Sequence, residues 1–91
     1  MSVTVRIPTP LRPAAGGNAT VEVCGSTVGE VVKALDAAHP GIGERVLDGG
    51  GQVRRFVNIF VDDQDIRFAS GLDTPVPEAA TVSIIPAVAG G

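Results

Sequence analysis

Cysteine and histidine each occur once in this chain, and tryptophan and tyrosine do not occur at all. With Cys24 alone there is no internal disulfide, and Cys24 with His39 cannot assemble the four ligands of a structural zinc site. Nucleophilic catalysis by Cys24 needs a base within reach, and the only histidine closes a helix elsewhere in the sequence. No acid, base, nucleophile and metal constellation assembles from one Cys, one His and dispersed carboxylates, so an autonomous small enzyme is discounted. No run approaches the roughly 20 apolar residues that span a bilayer. The start, Met1-Ser-Val-Thr-Val-Arg6, has no apolar export core, and the expectation is a cytoplasmic protein. Basic residues number seven against ten acidic, for a formal net charge of −3, and they are scattered apart from Arg54-Arg55. Without a basic stripe or stacking aromatics, nucleic acid is excluded as an expected partner. An acidic surface suits a partner whose docking site is basic.

What is present is a pattern of short strands around one helix, within a single domain spanning residues 1–91. Val3, Val5 and Ile7 alternate with Thr4 and Arg6, and Val21 and Val23 alternate with Thr20, Glu22 and Cys24, which predicts two half-buried strands. Between them, Pro8 to Asn18 holds three prolines and two glycines and reads as a turn-rich hairpin connection with no helix. Thr27 and Glu30 fit the N-cap and N3 positions of a capping box. Val28, Val31, Val32 and Leu35 follow at helical spacing until His39-Pro40-Gly41 stops the helix. Residues 42–47 read as a further helical turn and 48–52 as a flexible loop. Strands are expected again over 56–61 and 81–86, with a turn over 62–65 and a short extended segment at 66–68.

Motif-like fragments mostly reduce to ordinary structure. Gly49-Gly50-Gly51 has no following Lys-Ser/Thr and is no phosphate loop. Asp62, Asp63 and Asp65 lack the glycine and distal glutamate of a calcium loop. Cys24 is expected to pack in the sheet, as free cysteines commonly do, and His39 to lie at a helix C-terminus.

Two features carry function. The first is Gly90-Gly91, behind an apolar strand-like run. Glycines at an unpacked end add nothing to stability, but without Cβ atoms they can thread a narrow channel in a partner and present the Gly91 carboxylate unshielded. Residues 86–91 are therefore expected to form an extended reactive tail, with Ala87, Val88, Ala89 and Gly90 threading. The second is the sheet's bare face. If Val57, Ile59 and Val61 face the helix, then Phe56, Asn58 and Phe60 face outward, and Ile85 shares that side. Phe56, Phe60 and Ile85 are the candidate partner-docking residues.

The chain resembles the ThiS/MoaD family of ubiquitin-like sulfur carriers, and most closely its cysteine-biosynthesis members. The resemblance lies in Ile7-Pro-Thr-Pro-Leu-Arg-Pro13, Arg55-Phe-Val-Asn-Ile-Phe-Val61, Asp65-Ile-Arg-Phe68 with Gly71-Leu72, and Ile85-Pro-Ala-Val-Ala-Gly-Gly91. It implies an α+β, β-grasp fold with a mixed four- to five-stranded sheet on one main helix. It also implies that an E1-like adenylyltransferase/sulfurtransferase, using ATP and Mg²⁺ that this chain does not itself bind, converts Gly91 to a thiocarboxylate. A sulfur-accepting synthase, such as a PLP-dependent cysteine synthase, then takes the sulfur, with a metalloprotease releasing the product. The carrier is expected to be a monomer and a co-substrate. The alternatives are a covalent ubiquitin-like modifier and the small subunit of a molybdopterin-synthase-type complex.

Overall fold

Alternation of apolar and polar residues builds a five-stranded sheet, and the capped apolar stripe lies against one of its faces. The computed structural model describes residues 2–55 and 57–86. Strands β1 (Ser2–Arg6) and β2 (Thr20–Cys24) form an antiparallel hairpin. Helices α1 (Val28–Ala38) and α2 (Gly43–Val46) follow, then β3 (Val57–Val61), β4 (Gln64–Asp65) and β5 (Thr81–Pro86). The sheet order is β2-β1-β5-β3-β4, with β5 parallel to β1 and antiparallel to β3. This mixed sheet with a central last strand and one crossing helix is the β-grasp arrangement.

The buried face of each strand supplies the core. Val3 and Val5, Ile59 and Val61, and Val82 and Ile84 meet Val28, Val31, Val32 and Leu35 of α1. The helix starts where predicted, since Thr27 Oγ1 accepts from Glu30 N at 3.3 Å. The reciprocal half of the box is displaced by one residue. Glu30 Oε1 accepts from the Ser26 backbone N–H at 3.0 Å and from the Ser26 hydroxyl at 2.9 Å. These bonds hold the Glu30 carboxyl below the usual carboxylate range. His39 is the C-cap, its N–H donating to Leu35 O at 2.8 Å. Asp36 Oδ1 then accepts from Gly41 N and Gly43 N, which pins the reversal into α2.

Four local expectations need correction. The connection after β1 contains a 3₁₀ segment, Thr9–Ala15. Prolines forbid a long α-helix there, but their fixed φ suits a 3₁₀ turn, and near its start the missing N–H leaves nothing unpaired. Ile66–Phe68 is a 3₁₀ turn instead of an extended segment, capped by Asp65 Oδ1 accepting from Arg67 N at 2.9 Å. The 48–52 loop is a defined turn: Asp48 Oδ1 accepts from Gly50 N and Gln52 N, and Leu47 bridges Val53. Cys24 is exposed, because the strand's alternation places it with Thr20 and Glu22 on the outer side, and hydrophobicity of the residue type does not override that period.

Candidate docking face and tail root

β5 runs through the middle of the sheet and delivers the chain to its rim at Pro86, the last described residue. The ladder with β3 pairs Val61 with Val82, Phe60 with Ser83, Ile59 with Ile84, Asn58 with Ile85 and Val57 with Pro86. Inward residues are closed off: Val57, Ile59, Val61, Val82 and Ile84 are all buried. Phe60 and Ile85 share the opposite face as diagonal neighbours, Phe60 half-buried and Ile85 46% exposed. The expected pairing of an aromatic and an aliphatic side chain beside the tail's root is therefore present. Phe56, Ala87, Val88, Ala89, Gly90 and Gly91, the other candidate residues, lie outside the described residues.

Asn58 sits on the same face, directly opposite Ile85. Its Oδ1 is buried and accepts no hydrogen bond. Residues on this side of β1 and β5 are otherwise Ser2, Thr4, Arg6, Thr81 and Ser83, so Phe60 and Ile85 form an apolar island in a polar surround. The turn expected over 62–65 is confined to Asp62 and Asp63, since Gln64–Asp65 is strand β4, and two of the three aspartates there serve the backbone or an arginine. Asp62, at φ 53°, donates its N–H to Thr81 O at 2.7 Å and accepts from Thr81 N on Oδ1 at 3.0 Å. Asp65 binds Arg67 through both carboxylate oxygens, with Nη2 to Oδ2 at 2.8 Å, and this pair holds the Asp65 carboxyl below its usual range.

Two surface features escaped sequence reasoning. Phe68 is 82% exposed, with the Arg67 guanidinium 5.9 Å from its ring centroid. A groove between the end of β1, the 3₁₀ segment and the end of β5 carries Arg6 and Arg12 next to Ile85 and Pro86. Scattered arginines in a linear sequence gave no sign of it, since the parallel β1–β5 pairing is what brings residues 6 and 83 together. Among the described residues, no group of three or more His, Cys, Asp or Glu side chains is placed to hold a metal ion, and no helix is long and apolar enough to cross a membrane.

Residues 5–91 match the model of the ThiS family. The sulfur carrier protein CysO of Mycobacterium tuberculosis is 50% identical over 93 residues, covering all of both chains. Its crystal structure superposes with a TM-score of 0.90 at 48% identity, covering 94% of this chain and 99% of that one. A chain of the Amycolatopsis orientalis BexX/CysO complex gives a TM-score of 0.92 at 44% identity, covering 98% and 99%. Small archaeal modifier protein 3 of Haloferax volcanii is 32% identical over 66 residues, 72% of this chain and 71% of its own. The family match over residues 5–91 and the full-length relative at 50% identity agree with the fold, and the chain belongs to the ThiS family.

Proposed function

We propose that this chain is a sulfur carrier whose Gly91 carboxyl group is activated and thiolated by a partner enzyme. The observation that carries the reading is the family match, which runs through Gly91 and joins it to a full-length relative that is a sulfur carrier. The chemistry requires a partner. A free α-carboxyl group has a pKa of about 3.3 to 3.7, so at neutral pH it is an anion and a poor electrophile. In the proposed cycle the Gly91 carboxylate attacks the α-phosphorus of Mg-ATP on an E1-like adenylyltransferase and expels pyrophosphate. A sulfide-level donor then adds to the acyl-adenylate carbonyl, and AMP leaves, giving the thiocarboxylate. That anion is a soft nucleophile which an acceptor enzyme shields from water and aligns with its substrate.

This chain's own part is delivery. Ala87, Val88, Ala89 and Gly90 thread the partner's channel, while Phe60, Ile85 and Phe56 dock the body. The acceptor we favour is a PLP-dependent cysteine synthase-like enzyme, with a metalloprotease releasing product. The carrier acts in the cytoplasm as a monomeric co-substrate and carries no cofactor of its own. The test is reconstitution with the adenylyltransferase of the same cell, ATP, Mg²⁺ and sulfide. AMP release and a thiocarboxylate on the chain are expected, and both vanish on deleting Gly91. AMP release that persists without Gly91 overturns the reading.

The archaeal relative named as a modifier supports a second reading, in which Gly91 forms isopeptides with lysines of target proteins. A ladder of high-mass conjugates that survives reductant on an immunoblot favours the modifier, and its absence favours the carrier.

A further inference from the structure

The groove beside the tail's root has a charge pattern opposite to that of the molecule. It encloses about 510 Å³, and its charged lining residues are Arg6 and Arg12, with no carboxylate among them, in a chain of net charge −3. Arg6 is exposed on the outer side of β1, in register with Thr20 on one neighbouring strand and Ser83 on the other. Arg12 is half-buried, and its Nε donates to Ile7 O at 3.2 Å. That bond fixes the guanidinium plane and leaves its two terminal nitrogens, with their four N–H groups, for another acceptor. Among the described residues the one ion pair is Arg67–Asp65, so neither Arg6 nor Arg12 is neutralised within the fold. Ile84, Ile85 and Pro86 form the apolar part of the wall on β5, beside Ser83.

We infer that this groove takes an acidic segment of the enzyme that activates the tail, with at least one Asp or Glu side chain seated between Arg6 and Arg12. The inference rests on the sulfur-carrier reading and specifies the chemistry of its first partner. A guanidinium group held in one plane, as that of Arg12 is, matches a carboxylate bidentately. Pro86, the last described residue before the tail, lines the groove, so a protein that receives the tail has the groove within reach, and the apolar wall beside the arginines suits a peptide segment better than a free inorganic anion. The activating enzyme is chosen because every turnover passes through it, whichever acceptor follows.

Adenylation kinetics with the adenylyltransferase of the same cell test this at roughly 50 and 300 mM salt. Arg6→Glu is expected to raise KM for the carrier about tenfold or more at low salt with kcat unchanged, and the gap is expected to close at high salt. Arg12→Lys, which keeps the charge and loses the fork, is expected to raise KM by less. Arg6 makes no side-chain hydrogen bond among the described residues, so Arg6→Glu leaves the fold intact, and a circular dichroism melt checks it. An unchanged KM for Arg6→Glu at low salt, or a rise equal at both salts, overturns the inference. So does a shift of the Arg6 and Arg12 Nε–H NMR signals on converting the Gly91 carboxyl group to its amide, which would make the chain's own carboxylate the occupant. Failure of the wild-type chain to be adenylated overturns the carrier reading and this inference together; normal adenylation with an unaffected variant overturns the inference alone.

Discussion

Gly25 lies between β2 and α1, where a Cβ would stand 2.8 Å from the Val31 backbone nitrogen and 2.9 Å from Val31 Cγ2. Neither the helix backbone nor the buried valine can yield cheaply, so Gly25→Ala is expected to cost about 1–3 kcal/mol, read from the urea midpoint. A midpoint equal to that of the wild type would mean the junction is looser than described. Glu30 and Asp65 contribute to the acid limb of stability. Both carboxyls titrate lower in the folded chain, Glu30 through its bonds from Ser26 and Asp65 through its bonds from Arg67. The stability they add is complete above the ordinary carboxylate values of about 3.9 to 4.3, and is lost as pH falls through and below them. The double variant Glu30→Gln, Asp65→Asn is expected to flatten the fall in urea midpoint below about pH 4. An unaltered slope would assign the acid limb to other groups. Cys24 shows where residue identity misleads: its type favours burial, whereas its place in the Thr20–Cys24 alternation decides exposure.

Strand β3 carries both halves of the account, closing the core with Val57, Ile59 and Val61 and presenting Asn58 and Phe60 outward. Its period of two was legible in the sequence, as was α1 from the Thr27 cap and the valine–leucine stripe. The 3₁₀ segments were not, because prolines at 8, 10 and 13 signal only that an α-helix is disfavoured, and one turn of Ile66–Phe68 is too short to show a period. Phe60 is half-buried, so Phe60→Ala is expected to cost about half of the roughly 3–5 kcal/mol of a fully buried site. The fold is kept, while binding to the activating enzyme weakens about tenfold, as for a contact residue of moderate weight. Unchanged affinity with a lowered Tm would place Phe60 in the core instead. Asn58 has a buried acceptor without a partner, a cost of about 1–3 kcal/mol. Asn58→Val is expected to raise stability by about 1 kcal/mol, since a β-branched residue suits the strand and removes the orphaned group. A loss of stability in the thermal melt would show that the amide is satisfied in solution.

As a molecule, the chain packs a five-stranded sheet against one helix and aims its last strand at the sheet's rim. The pairing of β5 between β1 and β3 makes that possible, and no local pattern in the sequence reveals it; family resemblance supplied it, because strand order depends on contacts between residues far apart in the chain. The same non-local pairing gathers Arg6, Arg12, Ile85 and Pro86 around the tail's root, which is why the basic groove was invisible in a linear reading. That Phe60 and Ile85 share the outer face was legible because alternation fixes the side of the sheet a residue occupies, whatever its neighbours. The central claim is that the reacting atom of this protein is the carbonyl carbon of Gly91. Intact-protein mass spectrometry of the chain taken from its own cells tests it most directly. The account predicts a species heavier by the difference between one sulfur and one oxygen, located to Gly91 by fragmentation and absent when Gly91 is deleted. A chain carrying only oxygen at Gly91 under sulfur-replete growth, or one bearing the extra mass on another residue, would contradict it.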